Sequence, residues 1–231
     1  MKVFEKKLIY ANPLSNERDI APFRLEGQAS LSFPNARLRM ENALSPENGQ
    51  RANYVLWCER DFPPSVEIEW DFYPLAEPGL AMLFFSAAGR GGEDLFSPLL
   101  APRRGEYDSY KAGDINAYHV SYFRRGQREE RAFHTCNLRK SHGFHLVAQG
   151  ADPIPEVRDC TPPYRMRLRK AAGEIAFFIN DLPIFHFLDD GLAYGKALGA
   201  GKAGFRQMAP LTAEYANLKV YALTAVNGSR N

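Results

Sequence analysis

Four of the five histidines in this 231-residue chain, His119, His134, His142 and His145, fall between residues 119 and 145. The same stretch holds Tyr122, Arg124, Arg125, Asn137, Arg139 and Lys140. An imidazole can take a proton near neutral pH. A guanidinium presents a planar fork that matches a carboxylate. Once a carboxylate is neutralised, the proton on the carbon beside it becomes removable. His119 is therefore the candidate base and Tyr122 a second candidate catalytic residue, with Asn137, Arg139, Lys140, Arg124 and His142 as candidate substrate-binding groups. Charge points the same way. From Arg103 to Lys170 there are 14 Lys and Arg against 8 Asp and Glu, while the rest of the chain carries 15 against 19. This segregation favours an anionic ligand, and a uronic acid carboxylate would suit Arg139. The competing reading is a set of solvated strand faces ion-paired with Glu129, Glu130 and Asp152.

Strands must position these groups. In Tyr118–Arg125, Tyr118, Val120 and Tyr122 alternate with His119 and Ser121. In the next strand, Thr135, Asn137 and Arg139 oppose Cys136 and Leu138. Pairing the two strands places His119, Asn137 and Arg139 on one concave surface. Tyr122 shares the core parity and joins them only if a bulge re-aims it. Beyond this cluster, Val66, Ile68, Trp70 and Phe72 alternate with Glu67, Glu69 and Asp71, and Leu80–Phe85 is apolar on both faces, as suits a central strand. Residues 164–188 read as three hairpin-linked strands, with Gly201–Gln207 and Glu214–Leu223 closing the fold. The longest irregular stretches, Asn42–Arg51, Gly89–Tyr110 and Gly150–Pro163, are of a length that lines a site or caps an edge. The expectation is a single domain over residues 1–231: all-β, a two-sheet antiparallel jelly-roll sandwich.

Other chemistries find less support. Glu67, Glu69 and Asp71 loosely match the acidic strand of retaining laminarinase-type glucanases, but a charged outer strand face explains them better. Neither a metal site nor a cofactor is signalled: His142 and His145 split between faces of a strand, and Gly89-Arg90-Gly91-Gly92 precedes no helix. Cys58, Cys136 and Cys160 are odd in number and widely spaced, which fits reduced thiols. A net charge of +2 makes no case for nucleic acid, and no apolar run approaches the ~20 residues of a membrane span. MKVFEKKLIY lacks the apolar stretch of a signal peptide, so the expected location is cytoplasmic.

Two segments, YRMRLRKAAGEIAFFINDLPIFHF (Tyr164–Phe187) and GKAGFRQMAPLTAEYANLKVYAL (Gly201–Leu223), resemble the closing strands of the concanavalin A-like lectin/glucanase superfamily. Ala117–Glu156, together with IEWDFYPL at Ile68–Leu75, resembles the YesU-like bacterial proteins, jelly rolls associated with use of pectin-type polysaccharides such as rhamnogalacturonan. The resemblance implies a sugar context and supplies no mechanism. A His, Arg and Tyr set on a concave sheet is also how jelly-roll polysaccharide lyases look. The expected function is handling of an acidic, uronate-containing oligosaccharide, by a lyase or a hydrolase. The alternatives are a non-catalytic carbohydrate-binding module and a structural or interaction domain. A binding module should expose Trp or Tyr platforms, yet of two tryptophans Trp70 is patterned as core, which favours the enzyme.

Overall fold

The period-two segments pair into two antiparallel sheets in the computed structural model, which describes residues 4–125 and 134–226. Strands are numbered β1 to β15 along the chain. The eight-stranded sheet runs β13 (Leu182–Leu188), β12 (Glu174–Ile179), β11 (Tyr164–Ala171), β6 (Val66–Ala76), β15 (Thr212–Ala225), β4 (Leu38–Asn42) and β3 (Ala29–Ser32), with β1 (Phe4–Asn12) paired to β15 off this path. The seven-stranded sheet runs β10 (His145–Ala151), β9 (Thr135–Lys140), β8 (Ile115–Arg125), β7 (Gly79–Gly89), β14 (Lys202–Met208), β5 (Tyr54–Cys58) and β2 (Phe23–Glu26). The all-β, two-sheet expectation holds. Helix is confined to short turns such as Glu17–Ile20 and Asp108–Lys111. No helix among the described residues is long and apolar enough to cross a membrane.

The sheets bury a shared aromatic core. Trp70 stacks on Phe177 with ring centroids 6.3 Å apart and meets Phe205 edge-on at 5.9 Å. Its indole N–H donates to the Tyr122 hydroxyl at 3.2 Å. Val66, Ile68 and Phe72 join from β6, and Tyr118 and Val120 from β8, as their alternation requires. β7 is buried along nearly its whole length because a second, smaller core lies on the far side of the seven-stranded sheet. There Trp57, Phe84, Leu95 and Tyr110 pack the segment 93–111 down onto the strands. Each large apolar side chain so buried contributes about 1.5–3 kcal/mol, enough to hold this long segment in one place. Polar contacts fasten it further. Arg103 pairs with Glu26 at 2.7 Å, and Glu26 accepts the Trp57 indole N–H at 2.9 Å. Gly105 adopts φ +100° against the Asn53 carbonyl, where a Cβ would collide with backbone.

Candidate functional site

The segment 93–111 and the turn after β9 wall a cavity of about 310 Å³ on the outer face of the seven-stranded sheet. Register supplies its floor. His119 on β8 lies opposite Arg139 on β9 and Phe84 on β7, while Ser121 lies opposite Asn137 and Met82. Met82 in turn faces Arg206 on β14. His119, Ser121, Asn137 and Arg139 therefore share one face and line one cavity, with Met82, Leu80 and Met208 as its apolar part.

His119 is 1% exposed, and its Nε2 shares a hydrogen bond of 2.8 Å with the Tyr107 hydroxyl. Its Nδ1 has no partner. Burial pushes its pKa down to about 3, helped by Arg139 and Arg206, so the ring is neutral at pH 7. Tyr107 keeps surface in the cavity, and burial pushes its phenol up to about 12 although Arg206 and Arg139 pull the other way. Arg139 lies flat on the Phe144 ring, 3.6 Å from its centroid, and donates to the Phe144 carbonyl at 3.0 Å. Arg206 lies behind Tyr107, fully buried, 5.1 Å from that ring's centroid. Its contacts are the Gly105 carbonyl at 3.0 Å and Gln50 Oε1 at 3.4 Å. Its Nε and one terminal nitrogen are unpartnered, and burial pulls its pKa down to about 10. Among the described residues no carboxylate lines the cavity. Among the described residues neither Arg139 nor Arg206 has an ion-pair partner. Arg206 is thus a buried cation with no counter-ion among the described residues, an arrangement that is costly unless something else compensates it.

Three of the expected site residues sit elsewhere. Tyr122 is a correction: it is fully buried in the inter-sheet core, where desolvation raises its pKa far above the ordinary phenol value. The bulge that was to re-aim it exists one residue later. Phe123 takes a left-handed φ of 46° and turns inward, and the register to β7 slips between its Tyr122 and Arg125 pairings. That extra residue brings Arg124, not Tyr122, to the cavity wall. Lys140 shares the parity of Leu138, so it points inward, 1% exposed, and pairs with Asp189 at 2.7 Å. His142 follows the end of β9, its Nε2 3.1 Å from the Ala112 carbonyl, and lines a different groove. Glu129 and Glu130 lie outside the described residues; Asp152 lies 3.7 Å from Arg125 and accepts from the Phe123 N–H, away from the cavity. Among the described residues no cluster of three or more His, Cys, Asp or Glu could hold a metal ion. Tyr107, Gln50, Phe144 and Arg206 escaped the sequence reading. The signal for the first two was the length of the irregular stretches that carry them.

Two antiparallel sheets over one aromatic core, with an outer-face cavity, define a galectin- and concanavalin-like β-sandwich. Residues 7–220 match the family described as a domain of unknown function, DUF1961, and the chain belongs to that family. It is 50% identical over 217 residues to the uncharacterized protein YesU of Bacillus subtilis (strain 168), covering 94% of this chain and 96% of that one. A crystal structure of a protein of unknown function with a galectin-like fold from Bacillus subtilis superposes with a TM-score of 0.92 at 48% identity, over 97% of this chain and 100% of the other. The Emp47p carbohydrate recognition domain superposes with a TM-score of 0.60 at 14% identity, over 94% and 97% of the two chains, a likeness of fold alone.

Proposed function

We propose that the cavity binds a uronate residue of an acidic oligosaccharide and that the Tyr107–His119 pair makes it a lyase-type site. The observation that carries this reading is the pair of arginines, Arg139 in the wall and Arg206 behind it, with no carboxylate among the described lining residues. The polar and apolar halves of the cavity suit a sugar ring with one charged substituent. The shared fold with a carbohydrate recognition domain supports a sugar ligand.

In the proposed reaction Arg139 binds the uronate carboxylate and stabilises charge on it as the neighbouring C–H bond breaks. Tyr107 is the group that faces the substrate, because His119 is sealed beneath it. The Tyr107 oxygen takes the α-proton while its own proton passes to His119 Nε2. The C–O bond to the leaving sugar then breaks, a C=C bond forms, and the departing oxygen receives the proton back through Tyr107. No water is consumed. One observation favours a second reading, binding without turnover: a histidine held at about 3 is a weak base, suited to orienting Tyr107 alone.

Galacturonate oligomers followed by ultraviolet absorbance for a new conjugated double bond separate the two. The expected result is turnover that falls about 10²–10⁴-fold in Tyr107→Phe while affinity changes less than about threefold. Binding with no new double bond would leave the non-catalytic reading, and no binding of any uronate oligomer would overturn both.

A further inference from the structure

The turn that ends β9 has two sides. Phe144 closes the first cavity. On the other side His142 and His145 line a second groove of about 810 Å³ at the end of the sandwich, to which the uronate site assigns no role. Tyr194 stacks on His145 with ring centroids 4.0 Å apart and planes inclined by 16°. One ring face is thus occupied, yet the residue remains 54% exposed. Its backbone is left-handed, φ 58°, a conformation that disfavours a bulky side chain and persists only where the surroundings impose it. They do so here. Lys140, anchored on Asp189, donates to the Gly195 carbonyl at 2.6 Å. Lys170 donates to the Gly199 carbonyl at 2.9 Å, and the Tyr118 hydroxyl accepts from the Leu198 N–H at 3.0 Å. Two buried lysines therefore hold the loop after β13 so that an aromatic ring is presented to solvent. Ser141, 2% exposed at the base of the groove, has a hydroxyl with no partner. Arg90 and Lys196 stand exposed along the groove, and among the described residues its lining, like that of the first cavity, holds no carboxylate.

We infer that this groove is a second sugar subsite, in which Tyr194 is a stacking platform for a residue of the same acidic oligosaccharide, across the Ser141–Phe144 turn from the one held by Arg139. The inference rests on the uronate reading of the first cavity and adds a direction: the chain crosses the Ser141–Phe144 turn, with Arg90 and Lys196 meeting the carboxylates of the distal units. A flat aromatic ring recognises the apolar face of a pyranose whatever its substituents, so the platform contributes affinity for length.

Isothermal titration of digalacturonate and hexagalacturonate against wild type, Arg139→Ala, Tyr194→Ala and Tyr194→Trp tests it. Wild type should bind the hexamer more tightly than the dimer. Tyr194→Ala should weaken the hexamer roughly fivefold, the size of one lost ring-stacking contact, and leave the dimer unchanged. Tyr194→Trp should restore the hexamer, while Arg139→Ala should weaken both ligands. If Tyr194→Ala binds both oligomers as wild type does while Arg139→Ala fails on both, the second subsite is wrong and the uronate cavity stands. If wild type binds neither oligomer, both readings fall. An unchanged melting temperature in Tyr194→Ala accompanies the expected result, because the ring is exposed.

Discussion

The outer faces of the two sheets both carry arginines and differ in what stands opposite them. On the eight-stranded sheet β6 presents Glu67, Glu69 and Asp71, and the register of β11 sets Arg169, Arg167 and Arg165 directly opposite them. Further partners close the account. Lys6 pairs with Glu67 and lies 3.6 Å from Glu69, Asn217 donates to Asp71 at 2.7 Å, and Arg37 and Arg39 both hold Glu214, at 2.6 and 2.7 Å. Opposite charges across adjacent strands neutralise each other, which is the commonest use of charge on a sheet. On the seven-stranded sheet the corresponding rows read Arg139, His119, Phe84 and Asn137, Ser121, Met82, Arg206. No acid stands opposite any cation there. A charged strand face marks a site, then, when its register leaves charge uncompensated, and the density of charge alone says little.

The sharpest break between the faces should come from pH. The His119 pKa lies below the ordinary value because the ring is buried, so between pH 6.5 and about 3 the unfolded chain binds a proton that the folded chain refuses. His119 is neutral in both states above that window, where its stability contribution is complete. The contribution drains as pH falls, by on the order of 3 kcal/mol between pH 7 and pH 4. Melting temperatures measured across this range should fall more steeply for wild type than for His119→Gln, and parallel curves would show that the ring is not sealed as described.

A smaller effect separates the two sets of arginines. Arg139→Ala should cost at least about 1.5 kcal/mol, roughly tenfold, in affinity for a galacturonate oligomer, with little change in stability, since its partners are one carbonyl and one exposed ring. Arg167→Ala, on the paired face, should leave that affinity alone. Titration of both variants checks this, and equal losses would erase the distinction between the faces.

The smallest effect is expected at Glu69. Partial burial, and then the hydrogen bond with neighbouring Glu67, raise its pKa above the usual carboxylate value. The folded state therefore favours the protonated form, and stability is lost as pH rises through that window. Glu69→Gln should shift stability by no more than about 0.5 kcal/mol in either direction, because the half-buried group keeps contact with water and its ion-pair partner Lys6 is exposed. It should leave oligomer binding untouched. Urea denaturation would detect a larger change, and a large loss would mean that the acidic row is structural in a way the ion pairs do not explain.

What the amino-acid sequence determined by itself was parity. Alternation in Val66–Phe72 and Tyr118–Tyr122 decided which side chains enter the core, and alternation in Thr135–Arg139 decided that Asn137 and Arg139 leave it, because successive side chains on a strand must point to opposite sides. The two-sheet architecture and the common face of His119, Asn137 and Arg139 follow from that rule and were readable without coordinates. Lys140 obeys the same rule, against the expectation of it as a substrate-binding group: it shares the parity of Leu138 and pairs with buried Asp189. Tertiary structure decided the rest. A single left-handed residue, Phe123, turned inward and reversed the parity beyond it, which brought Arg124 to the cavity wall. The hydroxyl paired with His119 came from Tyr107, twelve residues away in an irregular segment, because a small core under residues 93–111 holds that segment on the sheet. Arg206 became a site residue only when β14 was placed beside β7. Periodicity is a property of neighbours along the chain, and it carries no information about which strand lies alongside which. Pairing and loop packing depend on contacts between distant segments, and those contacts brought the uncompensated charges together.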